Sequence, residues 1–136
     1  MISDRELIIN EIKHLIVNDY AIDLCILFGS AAQDRLKKSS DIDIVIGSKK
    51  GITNEQRLEL SMDLSKICGR TVSVLDIAML NGIVLKEVLV KGITIKNVDA
   101  VFKAKHITRM LDFMEDLYPM QKKGLIRKAK RFAYGE

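Results

Sequence analysis

Tryptophan is absent from the 136-residue chain, and there is one proline, Pro119, with two cysteines and two histidines. So few cysteines exclude a disulfide framework, and Cys25 and Cys68 show neither C-x-x-C spacing nor paired histidines nearby, so no zinc module is expected and both read as structural thiols. His14 and His106 recur at apolar helix spacing without a metal partner, which reads as packing or surface rather than catalysis. No apolar run approaches the roughly 20 residues of a membrane span, and the charged start Ser3-Asp4-Arg5-Glu6 has no signal-like apolar core. No membrane role and a reducing cytoplasm are therefore expected.

What is present is a hydrophobic fraction of 48%, which excludes a disordered or collagen-like chain. The length suits a single domain of about 100–150 residues. The net charge of +4 is unevenly placed. From Tyr118 onward there are six basic residues against one acidic, which leaves 16 against 17 before it. A division follows: a domain over 1–118 and a basic helix or tail over 119–136. Lys122, Lys123, Arg127, Lys128, Lys130 and Arg131 offer a surface for RNA or DNA. Only Phe132 and Tyr134 are there to stack on bases, so a solvated face or partner-docking tail is the plainer reading.

The chain is organised around Gly29 to Asp43, G-S-A-A-Q-D-R-L-K-K-S-S-D-I-D. Apolar runs flank it, Ile22–Phe28 before and Ile42–Ile46 after, each too short for a stable helix and each read as a strand. Alternation along a strand puts Asp41 and Asp43 side by side, with Ile42, Ile44 and Ile46 turned into a core. Adjacent carboxylates repel, and a cation between them removes that cost, so a magnesium site is the first hypothesis. Glycine lets a ligand approach the backbone closely, and free amides at the start of a following short helix, Ala31–Leu36, would face phosphate. Metal on one side and phosphate on the other describe a nucleotide site.

The remaining elements are legible from caps and periodicity. Ser3 with Glu6 and Thr53 with Gln56 form capping boxes, predicting helices over about Asp4–Val17 and from Thr53 to a stop at Gly69. Val72–Ile77 is a third strand, Leu80–Val90 a helix, and Gly92–Ile95 a short edge strand flanked by Lys91 and Lys96, which discourage pairing with another chain. Asp99 caps a last helix carrying Phe102, His106, Met110, Phe113, Met114 and Leu117 on one side, and Pro119 is expected to break or restart it.

The pattern G-S, ten residues (Ala31 to Ser40), then D-x-D resembles the nucleotidyltransferase superfamily of the DNA polymerase beta type. The resemblance implies an α/β (α+β) fold, a small mixed sheet flanked by helices with a C-terminal helical extension. It also implies in-line displacement at the alpha phosphorus of a nucleoside triphosphate. Gly29, Ser30 and Ser40 would bind the nucleotide, and Asp41 and Asp43 would hold Mg2+. A third carboxylate from a neighbouring strand would bind metal and help deprotonate the acceptor. In small members that acid sits in a V-D-L-V-D-L stretch, matched here by Val72-Ser73-Val74-Leu75-Asp76-Ile77, so Ser73 stands where an acid is expected. Three readings stay open: Asp76 serves through a strand irregularity, two acids suffice, or catalysis is lost. A second departure is Gln33-Asp34 where the family often has Arg-Gly, which removes a phosphate contact that Arg35, Lys37 or Lys38 would have to replace.

Within the superfamily the chain is most similar to the minimal nucleotidyltransferase antitoxins of the MntA type, which accompany a HEPN-domain toxin. The features are the G-S…D-x-D core, the helix leading to Gly92-Ile93-Thr94-Ile95, and Leu111-Asp112-Phe113 running on to Pro119. That resemblance implies transfer of AMP from Mg-ATP to a tyrosine of the toxin, silencing its ribonuclease activity. The alternative is a catalytically degenerate antitoxin that neutralises by binding alone. Larger relatives carry extra domains for their acceptor, and the length here implies that a partner or second copy supplies it, with Phe113, Met114 and Leu117 as candidate contacts.

Overall fold

The computed structural model describes residues 3–17, 22–33 and 41–121, with side chains of the last helix described as far as residue 116. Ser40, the loop basics Arg35, Lys37 and Lys38, and the basic tail lie outside the described residues, as does Leu117 in its side chain.

Helix α1 spans Asp4–Ile16 and helix α2 spans Asn54–Cys68, each opened by the expected capping box. Thr53 Oγ1 accepts from the Gln56 amide at 3.0 Å and Gln56 Oε1 from the Thr53 amide at 2.9 Å, so two orphan donors are satisfied. Gly69 ends α2 in the left-handed region at φ 64°, where glycine carries no side-chain penalty. Four strands, β1 (Leu24–Phe28), β2 (Ile42–Gly47), β3 (Val72–Asp76) and β4 (Ile93–Asn97), form one mixed sheet in the order β3-β2-β1-β4. β1 runs antiparallel to β2 and β4, whereas β2 and β3 are parallel, joined through α2 as the crossover.

Strand alternation divides the core in two. Cys25, Leu27, Ile42, Ile44, Ile46, Val72 and Val74 face Ile8, Ile12 and Ile16 of α1 and Leu60 and Leu64 of α2. Leu24, Ile26, Phe28, Val45 and Leu75 face the other way, toward helix α3 (Gly82–Lys91) and helix α4 (Ala100–Gln121) through Leu85, Val88, Phe102 and Met110. The sheet is therefore sandwiched between two helical layers, the three-layer solution for a sheet apolar on both faces.

Several expectations are corrected. β3 ends at Asp76, and Ile77–Met79 forms one turn of 3-10 helix in which Asp76 accepts from the Ala78 amide at 3.0 Å. α3 begins at Gly82 rather than Leu80, because Arg109 of α4 donates to the carbonyls of Leu80 (2.9 Å) and Ile77 (2.8 Å) and fixes that corner outside the helix. The helix after Asp99 does not break at Pro119 but continues to Gln121. Proline near a helix end costs one backbone bond, here to the carbonyl of Glu115, and the helix tolerates it. The expected boundary after residue 118 thus falls inside a continuous helix. Asp99 caps α4 as expected, its Oδ1 accepting from the amides of Val101 (2.9 Å) and Phe102 (3.3 Å). β4 is an edge strand, and Lys96 does more than guard it, donating to the Ile16 carbonyl at 3.1 Å at the end of α1.

Candidate functional site

The antiparallel register of β1 and β2 pairs Phe28 with Asp43, so the end of β1 delivers Gly29 directly in front of the Asp43 carboxylate. A Cβ placed on Gly29 would lie 2.7 Å from Asp43 Oδ2, and Gly29 has φ 77°. Both the missing side chain and the left-handed backbone are thus needed there. The chain then turns through Ser30, Ala31 and Ala32, with the Gln33 amide donating to the Gly29 carbonyl at 3.1 Å. The expected helix Ala31–Leu36 is a turn as far as residue 33; the rest lies outside the described residues. Ala31 and Ala32 are buried and anchor the turn to the α1/α2 side of the sheet, while Ser30 is half-buried within it.

Asp41 and Asp43 lie on the face that Val45 shares with the α3/α4 layer, as alternation from buried Ile42 and Ile44 requires. Asp41 is exposed and Asp43 half-buried. Burial, and then the neighbouring Asp41 charge, push the Asp43 carboxyl above the ordinary aspartate range. Both causes disfavour the charged form of Asp43. A divalent cation would reverse both causes, and Mg2+ is commonly held by one or two carboxylates plus substrate phosphates. The pair fits that role, and the missing side chain at Gly29 lets the Asp43 carboxylate lie against the backbone of the turn.

The third position is a serine in space as well as in sequence. The parallel register sets Ser73 opposite Asp43, on the same face and exposed. Asp76 is three positions further along, opposite Ile46, and the register runs from Ile42↔Val72 to Ile46↔Asp76 without a shift. No bulge brings Asp76 beside Asp41 and Asp43; its carboxylate caps the 3-10 turn instead. Among the described residues no three His, Cys, Asp or Glu side chains gather as a metal cage. The structure therefore brings together Gly29, Asp41 and Asp43, puts Ser30 in the turn that follows Gly29, leaves Asp76 at the far end of its strand, and sets Ser73 opposite Asp43.

Asp76 instead lines a cavity of about 350 Å³ with Ser48, Lys49, Asp99, Phe102, Lys105 and His106. His106 is 4% exposed, packs edge-to-face on Phe102 with ring centroids 4.9 Å apart, and accepts at Nδ1 from Arg109 Nε at 3.3 Å. Burial, then the Arg109 and Lys105 charges, lower its pKa. The packing role read from the sequence holds, and the sequence carried no signal for this cavity because it is assembled from three separated segments. Cys25 is buried, with its thiol pushed up to about 12, and Cys68 is raised to about 11; neither is disulfide-bonded. No helix among the described residues is long and apolar enough to cross a membrane.

The description "Polymerase beta, Nucleotidyltransferase" belongs to the family whose profile matches residues 10–100. No curated protein matches the chain. Solved structures do. A chain from a toxin–antitoxin crystal structure with AMP-PNP superposes with a TM-score of 0.66 at 20% identity, covering 91% of this chain and 98% of that one. A chain from a complex of tri-AMPylated Shewanella oneidensis HEPN toxin with an MNT antitoxin gives 0.63 at 22% identity, covering 93% and 98%. One from the toxin–antitoxin MntA-HepT gives 0.61 at 22% identity, covering 92% and 98%. At these identities the likeness is one of fold, and it agrees with the mixed sheet between helical layers. With the profile spanning more than half the sequence and including Gly29, Ser30, Asp41 and Asp43, the chain belongs to the polymerase beta nucleotidyltransferase family.

Proposed function

We propose that the chain is an antitoxin nucleotidyltransferase that moves AMP from Mg-ATP to a tyrosine of a HEPN-type ribonuclease toxin. The observation that carries this reading is the placement of Gly29 against the Asp41–Asp43 pair, a phosphate approach and a cation site in contact. Support for the partner comes from the solved structures, which are toxin–antitoxin complexes matched over more than nine-tenths of this chain.

In this reading Asp41 and Asp43 hold the cation, which neutralises charge on the phosphates when bound. Gly29 and Ser30 let the triphosphate approach the backbone, with Ser40, the residue before Asp41 in sequence, contributing to nucleotide binding. The half-buried position of Asp43 shields its charge from water, so its pull on the cation is stronger than that of the exposed Asp41. Displacement at the alpha phosphorus needs positioning and charge neutralisation more than covalent help from the protein. A two-carboxylate site is compatible with that chemistry. Asp76 takes no part.

The test is intact-mass spectrometry of the HEPN-type partner after incubation with this chain, Mg2+ and ATP, beside an Asp43→Asn control. One or more added AMP masses that the control lacks is the expected result. Ser73 opposite Asp43 favours a second reading, neutralisation by binding alone. A stable complex with no mass gain would select it.

A further inference from the structure

The cavity of about 350 Å³ beside α4 lies past the end of β2, away from the Asp41–Asp43 pair at its start. Ser48 in its wall is five residues beyond Asp43, roughly 16 Å of extended strand. His106, buried in that wall, has one edge already taken. Arg109 donates from Nε to His106 Nδ1 at 3.3 Å, and Nη2 lies 3.0 Å from the same atom. A guanidinium has only donors, so Nδ1 is the lone-pair nitrogen and the ring proton sits on Nε2. Burial, then the Arg109 and Lys105 charges, favour this neutral form. Nε2–H is buried and has no acceptor among the described residues. Buried donors are nearly always paired, which calls for an acceptor from outside the chain.

We propose that the cavity binds a small zwitterion of the amino-acid class, its carboxylate accepting from His106 Nε2–H beside the Lys105 ammonium and its ammonium pairing with Asp76. The charges in the wall select this class. Lys49 and Asp99 pair with each other, which leaves Lys105 and Asp76 as one charge of each sign. Asp76 Oδ1 accepts from the Ala78 amide at 3.0 Å, and Oδ2 is open to a second donor. A simple anion would suit His106 and Lys105 but would meet the Asp76 carboxylate. A metal cation would meet two ammonium groups and an imidazole nitrogen that already carries a proton. A molecule with one charge of each sign answers both side chains. The volume is at the lower end of the roughly 300–1,000 Å³ of small-molecule sites, and Phe102 offers an apolar wall for the ligand's side chain. Reaching Nε2 takes a small shift of the wall, which Lys105, exposed and next to His106 in sequence, can make. This site is independent of the nucleotide-transfer reading.

The test is an amide NMR titration of the full chain, separately with L-leucine, L-serine and L-phenylalanine, each to about 10 mM. Saturable shifts at residues 76–78 and 101–106, with a shift of the His106 Nε2 resonance, are expected for at least one of them. The corresponding amine, lacking the carboxylate, and the corresponding acid, lacking the ammonium, should each bind at least about tenfold more weakly. Lys105→Gln and Asp76→Asn should each weaken the amino acid at least about tenfold. Lys105 is exposed, and asparagine keeps the oxygen that accepts from the Ala78 amide, so both variants should fold, which circular dichroism checks. Shifts with none of the three amino acids would overturn the proposal and leave Nε2–H to an ordered water. Equal binding of the amine or the acid alone would overturn the zwitterion, and unchanged affinity in Lys105→Gln would overturn the placement. Shifts confined to residues 41–45 would do the same by moving the ligand to the carboxylate pair.

Discussion

Gly29 stands so close to Asp43 that a single added carbon on Gly29 would sit 2.7 Å from Oδ2 of the carboxylate. The glycine and the acid are thus one unit, contributed by two strands whose register pairs Phe28 with Asp43. Gly29→Ala should disturb the site in two ways. A non-glycine residue at φ 77° costs about 1–2 kcal/mol of backbone strain, and the methyl displaces the carboxylate. The expected result is a lower urea midpoint together with at least about a tenfold loss of Mg-ATP affinity, measured by calorimetric titration.

Asp43→Asn should separate stability from function. The folded-state pKa of Asp43 is raised above 3.8, by burial first and the Asp41 charge second. Between 3.8 and that raised value the folded state binds more protons than the unfolded state, so stability falls as pH rises through this window and stays lower above it. Asparagine removes the charged form altogether. Thermal unfolding at pH 7 without metal should therefore show a higher midpoint for Asp43→Asn than for the native chain, while Mg-ATP binding is lost. A lower midpoint would mean that the carboxylate is already neutralised in the free protein.

Arg109 ties α4 to the corner between β3 and α3. Its Nη2 donates to the Ile77 carbonyl at 2.8 Å and its Nη1 to the Leu80 carbonyl at 2.9 Å. Arg109→Ala leaves both carbonyls without this donor and should cost about 2–4 kcal/mol in urea denaturation. Arg109→Lys should recover only part of that, because an ammonium cannot fork to two acceptors as a guanidinium does. Hydrogen exchange at residues 77–82 should accelerate in both variants.

His106 should give the fold a weakness to mild acid. Its folded-state pKa is lowered from 6.5 by burial and by the Arg109 and Lys105 charges, with Asp76 opposing them. The contribution is fully present above 6.5 and is lost as pH falls from there through the lowered value, where the unfolded chain takes up a proton that the folded chain refuses. The unfolding midpoint of the native chain should drop across that interval, and His106→Gln should flatten the drop. Equal pH slopes for the two proteins would rule His106 out as its source.

Local chemistry explains what the sequence by itself determined. Capping boxes at Ser3 and Thr53, the left-handed stop at Gly69 and the alternation of Ile42, Ile44 and Ile46 are short-range features, set by nearest-neighbour geometry. The face shared by Asp41 and Asp43 follows from the same alternation, and the glycine-serine turn ahead of them was visible as spacing alone. The tertiary structure decided what depends on strands that are distant in the chain. Only the parallel register of β2 and β3 could show that Ser73, and not Asp76, stands beside Asp43. Only the packing of α4 could show that Arg109 holds the corner ahead of α3, and that the helix runs on through Pro119. Register and helix docking are fixed by which apolar faces meet across the core, a property of the assembled layers that no local pattern carries.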